Sequence, residues 1–217
     1  MVNFNLYLIT DRHQTKGRPL PFIIEEALKG GIKAVQLREK DLHAKELFKL
    51  AVNIRKITKQ YSAKLFINDR VDIAMAVEAD GVHLGQSSFS PRDVKRVFAK
   101  AIIGVSTHSL KEAKKAAEEG ADFITLGPIC HTPSKASYGE PLGVEIIKKI
   151  KVEVKIPVFA VGGIKKENIK DVMVAGADGA ALISAIIGAE DVGKAVMEIE
   201  KSVRESKNRL KFQSPNF

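Results

Sequence analysis

Charged and polar side chains follow several short apolar runs in this chain, at points where they could bind an anion or a metal ion. Arg38 and Lys40 come directly after one run, and a guanidinium fork beside an ammonium point charge could clamp a phosphate or pyrophosphate. Asn68 and Asp69 come after another run and offer hard oxygen ligands, which suit Mg2+ bound by carboxylates and substrate phosphates. A solvated rim and an Asn-Asp turn are the alternative interpretations of these two pairs.

Two apolar runs near the C-terminus end in small residues instead. The run 158–161 is followed by Gly162 and Gly163, and the run 180–183 is followed by Ser184. Small residues let backbone N–H groups approach a ligand closely. Adjacent strand ends of this kind are typical of the phosphate site that follows strands 7 and 8 of a (β/α)8 barrel. The pattern therefore predicts a second anion site, built from backbone groups.

Two histidines, one cysteine and one polar loop complete the candidate chemistry. His83 and His108 could act as general acids or bases, although an isolated histidine is more often structural. Cys130 is interpreted as a small, partly buried residue. The stretch 132–135 could close over bound anions as a lid, or it could be an ordinary surface connection.

Eight apolar runs alternate with amphipathic stretches of helical period, and together they could position these side chains. The runs are rich in Ile, Val, Leu and Phe and mostly lack alternation, as expected of parallel strands covered by helices on both faces. Eight such units without a linker predict an α/β protein with a single (β/α)8 TIM barrel, and a doubly wound open sheet is the alternative. The predicted strands are Leu6–Thr10, Lys33–Leu37, Lys64–Asn68, Gly81–Leu84, Ala101–Val105, Phe123–Leu126, Pro157–Val161 and Ala180–Ile183.

Local signals mark where helices begin and where strands follow turns. Ser90 before Pro91 predicts a helix N-cap, and Ser109 with Glu112 predicts a capping box. A related turn precedes four strands and predicts stabilising features at the face of the barrel away from the chemistry. These turns are Gly30-Gly31-Ile32, Ala79-Asp80-Gly81, Gly120-Ala121-Asp122 and Gly176-Ala177-Asp178.

The amino-acid composition and net charge exclude or disfavour several classes of protein. The 217-residue chain carries a net charge of +9, but its basic residues are spread along helical stretches without interleaved aromatic residues, which disfavours nucleic-acid binding. Cys130 is the sole cysteine, so an intramolecular disulfide is excluded. No apolar stretch approaches the roughly 18 residues of a membrane span, and a cytoplasmic protein without a membrane partner is expected. We expect one domain over residues 1–205 and a polar, frayed tail over residues 206–217.

The ordered set of motifs resembles the thiamine-phosphate synthase family over about residues 5–195. The resemblance implies a (β/α)8 barrel that joins hydroxymethylpyrimidine pyrophosphate to thiazole phosphate and releases pyrophosphate with Mg2+. The motifs that carry it are Tyr7-Leu8-Ile9-Thr10-Asp11, Gln36-Leu37-Arg38-Glu39-Lys40, Phe66-Ile67-Asn68-Asp69-Arg70, Gly81-Val82-His83-Leu84-Gly85-Gln86, Gly104-Val105-Ser106-Thr107-His108, Leu126-Gly127-Pro128-Ile129, Val161-Gly162-Gly163-Ile164 and Ile183-Ser184-Ala185-Ile186.

The resemblance also implies residue roles and partners. Small phosphorylated pyrimidine and thiazole substrates are the expected partners, and a homo-oligomer is left open. Arg38, Lys40 and Lys135 are the implied catalytic residues, which neutralise charge, and Asp69 is the implied Mg2+ ligand. The implied pyrimidine-pyrophosphate contacts are Gln36, Leu37, Arg38, Glu39, Lys40, Asn68, Ser106 and Lys135; the implied thiazole-phosphate contacts are Thr132, Pro133, Ser134, Gly163, Ile183 and Ser184.

One position departs from the family pattern. Ser88 stands where the family usually has an aspartate as its second Mg2+ ligand, and a hydroxyl is a poorer ligand for a hard dication. The neighbouring sequence also resembles a sister family of metal-independent thiazole tautomerases, for which His108 and His131 are the nearby candidates for proton transfer. A non-catalytic thiazole-phosphate-binding protein is the third alternative.

Overall fold

Eight parallel strands form a closed barrel in a computed structural model, which describes residues 2–132 and 140–213. Each strand pairs with the next along the chain, and β8 pairs with β1 to close the cylinder. The predicted (β/α)8 barrel is therefore confirmed, and the alternative of an open doubly wound sheet is wrong. The strands are β1 (Leu6–Ile9), β2 (Ala34–Leu37), β3 (Lys64–Asn68), β4 (Gly81–Leu84), β5 (Ile102–Thr107), β6 (Phe123–Leu126), β7 (Val158–Val161) and β8 (Gly179–Leu182).

Helices connect the strands and cover the outside of the barrel. Within the described residues, none of them is long and apolar enough to cross a membrane. A short 3-10 helix, Arg12–Gln14, follows β1. The α-helices are α1 (Leu20–Lys29), α2 (Ala44–Gln60), α3 (Val71–Ala76), α4 (Pro91–Val97), α5 (Leu110–Glu118), α6 (Glu145–Glu153), α7 (Ile169–Val174), α8 (Ser184–Ile187) and α9 (Val192–Gln213).

The barrel interior is packed with aromatic rings. Because successive strand residues point to opposite faces, every second side chain enters the interior while its neighbours pack against the helices. The Phe4 ring, which precedes β1, contacts the rings of Tyr7, Phe66, Phe123 and Phe159 at centroid separations of 5.1 to 5.9 Å. Two of these four contacts, with Phe66 and Phe123, are edge-to-face, an arrangement that the ring quadrupole favours. The interior is thus a filled core, and ligands must bind at its open end.

Glycine at position 104 makes room for this core. A Cβ atom there would lie 2.4 Å from the Phe123 ring and 2.5 Å from Nδ1 of His83. Both separations are shorter than van der Waals contact. The side-chain-free position on β5 therefore allows two rings from β4 and β6 to enter the same layer.

Three aspartates at the N-terminal face confirm three of the four predicted stabilising turns, those before β4, β6 and β8. Asp80, Asp122 and Asp178 precede β4, β6 and β8, and each carboxylate accepts a hydrogen bond from a backbone N–H of the preceding strand at 2.8 to 2.9 Å. Each also forms an ion pair with at least one lysine at 2.7 to 3.0 Å. The repeat thus clamps neighbouring strands together away from the open end.

Helix capping follows the sequence with one difference. The Ser90 hydroxyl accepts from the Asp93 N–H, and the Ser109 hydroxyl accepts from the Glu112 N–H, as expected of N-caps. The Glu112 carboxylate, however, accepts from the N–H of His108 at 2.7 Å rather than from that of Ser109. The second half of the predicted capping box is therefore wrong, because the carboxylate reaches one residue further back.

The C-terminal helix extends beyond the predicted domain boundary. Helix α9 continues to Gln213, so the expectation of a frayed tail starting at Ser206 is corrected within the described residues. The Ser206 side chain is buried and donates to the Ser202 carbonyl, and the Lys207 ammonium donates to the side chain of Asn5. The Lys207 ammonium also donates to the Asp178 carbonyl, and its two contacts hold this polar segment against the barrel. Residues 214–217 lie outside the described part of the chain.

Candidate active site

The predicted binding positions lie on one rim of the barrel. Arg38, Asp69, Gly163 and Ser184 follow the C-terminal ends of β2, β3, β7 and β8. Since all eight strands are parallel and the barrel is closed, these strand ends meet at the same open end. In (β/α)8 enzymes this end carries the active site. The fold therefore brings the two predicted anion sites to one mouth.

The end of β2 sends its residues in different directions. Gln36 points into the barrel, where its side-chain N–H donates to the Tyr7 hydroxyl at 3.3 Å. Leu37 is buried in the outer core between the sheet and the helices, so only its backbone can face a ligand. The Arg38 N–H donates to the buried Thr10 hydroxyl at 2.9 Å, which ties the start of this loop to β1. Arg38 is half-buried and Lys40 is exposed.

Glu39 anchors the same loop to the 3-10 helix. Its side chain is 1% exposed, and its carboxylate accepts from the Arg12 backbone N–H at 3.1 Å and from the Arg12 guanidinium at 3.3 Å. The guanidinium also pairs with Asp41, and this bond is the main reason that the pKa of the Asp41 carboxyl lies well below its usual range. The Glu39 carboxylate thus holds the loop that carries Arg38 and Lys40. Its implied contact with substrate stays a prediction.

Asp69 and Ser88 meet at the rim, from the ends of β3 and β4. The Ser88 hydroxyl donates to the Asp69 carboxylate and accepts a hydrogen bond from the Gly85 N–H at 2.7 Å. Asp69 adopts a left-handed backbone with φ of 61° and is exposed, while the Asn68 amide lies beside it at 3.4 Å. The structure therefore places position 88 against the aspartate, as the two implied metal ligands require.

This oxygen cluster fits a magnesium ion that substrate completes. The Asp69 carboxylate and the Ser88 hydroxyl supply hard oxygen atoms, and Mg2+ typically uses one or two carboxylates together with substrate phosphates. Among the described residues there is no group of three or more His, Cys, Asp or Glu side chains able to hold a metal ion. Protein groups alone therefore do not form a closed cage there, and a substrate-bridged ion is the form that matches.

A chain of buried polar groups lies beneath the mouth, and the sequence analysis did not find it as a unit. The Tyr7 hydroxyl lies 3.3 Å from Nδ1 of His83, and Nε2 of His83 lies 3.0 Å from the Ser106 hydroxyl and 3.3 Å from that of Thr125. Burial, with a smaller contribution from the charge of Arg38, lowers the pKa of His83 to about 3. His83 is therefore neutral near pH 7. The one sequence signal for this chain of polar groups is Tyr7, because its hydroxyl lies within an otherwise apolar strand.

The predicted second anion site corresponds to the turns after β7 and β8. Gly163 has φ of 65°, a conformation that favours glycine, and a Cβ atom there would lie 2.4 Å from the His131 carbonyl oxygen. The Asn168 amide donates to the Gly163 carbonyl at 2.9 Å and so holds this turn. Ile183 caps α8 and Ser184 begins it, and the Ile183 carbonyl accepts from the N–H groups of Ile186 and Ile187. The N–H group of Ser184, at the first helical position, has no acceptor within the helix.

The remaining predictions fall around this rim. His108 is exposed and its Nδ1 lies 2.5 Å from the Gly127 carbonyl oxygen. Cys130 is half-buried, as expected, and burial together with the charge of Asp171 raises the pKa of its thiol. Thr132 ends the described segment after β6. Pro133, Ser134 and Lys135, with the lid predicted there, lie outside the described residues.

Comparison with known proteins agrees with this geometry. The family model described as thiamine monophosphate synthase matches residues 6–186. A Geobacter sulfurreducens protein provisionally named a thiamine-phosphate synthase is 52% identical over 88% of this chain and 90% of its own. The thiamine-phosphate synthase of Alkaliphilus oremlandii is 43% identical over 94% of this chain and 97% of its own. The solved thiamine phosphate pyrophosphorylase of Pyrococcus furiosus superimposes with a TM-score of 0.86 at 42% identity, covering 94% of this chain and 96% of that one. Together with the closed eight-stranded barrel, these matches show that the chain belongs to the thiamine monophosphate synthase family.

Proposed function

We propose that this protein is a Mg2+-dependent transferase that makes thiamine phosphate from hydroxymethylpyrimidine pyrophosphate and thiazole phosphate, with release of pyrophosphate. The observation that carries the proposal is the shared rim. Cationic and carboxylate side chains after β2 and β3 lie at the same open end as the backbone groups after β7 and β8. One mouth can therefore hold two anionic reactants, as a condensation requires. The relatives named thiamine-phosphate synthases support the same activity.

The first half of the mouth binds the pyrimidine pyrophosphate. Arg38 and Lys40 supply positive charge to the pyrophosphate, on a loop that Thr10 and the buried Glu39 hold in place. Asp69 and Ser88, with the amide of Asn68 beside them, would hold the magnesium ion. When bound, the ion neutralises charge on the pyrophosphate leaving group.

The reaction needs little acid–base chemistry from the protein. The bond between the exocyclic carbon of the pyrimidine and the pyrophosphate oxygen breaks, and pyrophosphate leaves with the electron pair. The pyrimidine amino group spreads the positive charge that develops, and the thiazole nitrogen donates its lone pair to form the new carbon–nitrogen bond. Positioning and charge stabilisation thus supply the rate enhancement. A neutral, buried His83 agrees with a mechanism in which it transfers no proton.

The second half of the mouth binds the thiazole phosphate. Gly163, Ile183 and Ser184 offer backbone N–H groups to its phosphate, in the barrel position that commonly binds phosphate. By the resemblance to the family, Thr132, Pro133 and Ser134 are expected to contribute to this subsite and Lys135 to contact the pyrophosphate. Residues 133–135 lie outside the described part of the chain.

The direct test is synthesis. Purified protein mixed with both phosphorylated precursors and Mg2+ should form thiamine phosphate and pyrophosphate in equal amounts, and chelation of the metal should stop the reaction. Folded protein that forms no product above a protein-free control would reject the proposal. Calorimetric binding of thiazole phosphate without binding of the pyrimidine pyrophosphate would instead indicate a non-catalytic binding protein.

Thiazole tautomerisation is the second candidate, favoured by the hydroxyl that replaces a carboxylate at position 88. This reaction would need a proton-transfer group near the thiazole, and the exposed His108 and His131 lie after β5 and β6. Metal-independent proton exchange on thiazole carboxylate phosphate, lost in His108→Ala or His131→Ala, would support it. Synthesis of thiamine phosphate without such exchange would eliminate it.

A further inference from the structure

We propose that Tyr7 and His83 are positioning residues that orient the Ser106 hydroxyl as a hydrogen-bond donor to the pyrimidine substrate. The inference rests on the proposed function, because it concerns the subsite that would bind the aminopyrimidine ring. It assigns a role to two buried residues inside the barrel that themselves need not touch the substrate.

The hydrogen-bond chain has a direction that starts at Gln36. Its side-chain N–H donates to the Tyr7 hydroxyl at 3.3 Å, so the Tyr7 oxygen is an acceptor there. Tyr7 is fully buried, and a buried hydroxyl hydrogen without an acceptor is costly. Its second partner is Nδ1 of His83, also at 3.3 Å. Tyr7 therefore donates to Nδ1, and this nitrogen carries no hydrogen.

The neutral imidazole must then carry its hydrogen on Nε2. This nitrogen lies 3.0 Å from the Ser106 hydroxyl and 3.3 Å from the Thr125 hydroxyl, so the Nε2–H group donates toward them. Burial keeps the imidazole neutral, and the aromatic core around it excludes water. Since the Ser106 oxygen accepts from His83, its own hydrogen is free to point into the mouth.

The packing of His83 leaves the imidazole little freedom to reverse this direction. Its ring contacts the rings of Tyr7 and Phe123 at centroid separations of 5.6 and 5.8 Å. Gly104 lies against Nδ1 so closely that a Cβ atom would come within 2.5 Å of it. The ring is thus held with one nitrogen toward Tyr7 and the other toward Ser106.

The polarity at both ends suits an aminopyrimidine. At the Gln36 end the amide nitrogen is used inside the barrel, so the amide oxygen remains as an acceptor for an amino group. At the other end Ser106 offers a donor, which suits an unprotonated ring nitrogen. An analogue with an oxo group in place of the amino group presents a hydrogen-bond acceptor and a ring N–H instead. Buried polar groups of the site then lose their partners, so we expect this analogue to bind at least about tenfold more weakly.

The tautomer can be measured without substrate or activity. Nitrogen-15 NMR of histidine-labelled, ligand-free protein should show His83 protonated on Nε2 and bare on Nδ1 near pH 7, with assignment by the loss of its signals in His83→Gln. The opposite tautomer, or a charged ring, would overturn the inference even in an active synthase. The NMR experiment therefore distinguishes failure of this inference from failure of the proposed function.

Binding then tests whether the chain acts through Ser106. We expect Tyr7→Phe to weaken calorimetric binding of the pyrimidine pyrophosphate about tenfold and to leave the Kd of thiazole phosphate unchanged. The same change in a Ser106→Ala protein should have little further effect, because the hydroxyl that it orients is gone. A full additional loss in that background would overturn the inference.

Thr125→Val is the matched control. It removes the other hydroxyl beside Nε2 but leaves the path from Tyr7 to Ser106 intact, so the Kd of the pyrimidine pyrophosphate should stay within about twofold of the wild-type value. Losses of equal size in Tyr7→Phe and Thr125→Val, with similar falls in Tm, would indicate a general packing role and overturn the proposal. Wild-type protein that binds no pyrimidine pyrophosphate would overturn both this inference and the proposed function.

Discussion

The Ser88 hydroxyl donates a hydrogen bond to the Asp69 carboxylate, across the gap between the ends of β3 and β4. A backbone N–H from Gly85 holds the serine oxygen in that position at 2.7 Å. The contact places residue 88 beside the carboxylate that we propose as the magnesium ligand, where a second carboxylate could join it. In this chain the aspartate is instead stabilised by a neutral donor, which reduces the negative charge available to a dication.

Ser88→Asp should tighten Mg2+ binding. A second carboxylate beside Asp69 adds one negative charge within a few ångströms of the ion, and we expect an affinity gain on the order of tenfold. Calorimetric titration with Mg2+ in the presence of pyrophosphate measures it. The exposed neighbour provides the control, since Ser87→Asp adds the same charge away from Asp69. Equal gains in the two variants, or none, would show that position 88 is not a metal ligand position.

Asp69→Asn should abolish most of the Mg2+-dependent synthesis while leaving the fold intact. The amide oxygen can still accept from Ser88, so the Tm should change little, whereas loss of the charged ligand should lower kcat/KM by about 100-fold or more. Asp72→Asn is the control, since Asp72 lies three residues after Asp69, is exposed and pairs with Arg70. Retention of metal-dependent turnover in Asp69→Asn would exclude Asp69 as the principal ligand.

Stability should fall in mild acid because of His83. Burial lowers its pKa from 6.5 to about 3 in the folded protein, so the unfolded chain takes up this proton first as the pH falls. The stabilisation is complete above about pH 6.5 and is lost progressively toward pH 3, with a total on the order of a few kcal/mol. The free energy of unfolding in urea should therefore decrease from pH 7 to pH 4.5.

His83→Gln tests the source of that slope. The variant should be less stable at pH 7 but should lose less stability between pH 7 and pH 4.5 than the wild-type protein. His131→Gln, at an exposed histidine, should keep the wild-type slope. If His83→Gln retained the full slope, carboxylates rather than His83 would be its cause.

Gly104→Ala should destabilise the barrel. The added Cβ atom would overlap the Phe123 ring and the His83 imidazole, and overpacking of this kind costs about 1–3 kcal/mol. Gly193→Ala is the control, since its Cβ would make ordinary contacts at 3.7 and 3.8 Å. Thermal unfolding compares the two. A neutral result for Gly104→Ala would mean that the two rings have more freedom than their packing indicates.

Some strands, caps and helices of this protein can be predicted from the sequence, and others cannot. Strand and turn signals are local, and the buried runs at Phe123–Leu126 and Gly81–Leu84 were predicted with their observed bounds. The sequence predicts that the Glu112 carboxylate accepts from the N–H of Ser109, whereas it accepts from that of His108. The two N–H groups are neighbours along the chain, and only the local backbone path decides which of them the carboxylate reaches. The helix beyond Ser206 was missed because its stability comes from contacts with Asn5 and Asp178, which are distant in sequence.

The sequence by itself determined the barrel, the family and the order of polar residues along its rim, because apolar period and motif spacing are properties of the chain alone. It also placed Arg38, Asp69 and Gly163 after strands, where the parallel topology makes them neighbours. The tertiary structure decided which side chain contacts which: that Ser88 donates to Asp69, that Glu39 turns away to Arg12, and that Tyr7 and His83 connect Gln36 to Ser106. These pairings join residues from different strands or from the segments that follow them, and their geometry exists only once the cylinder has closed.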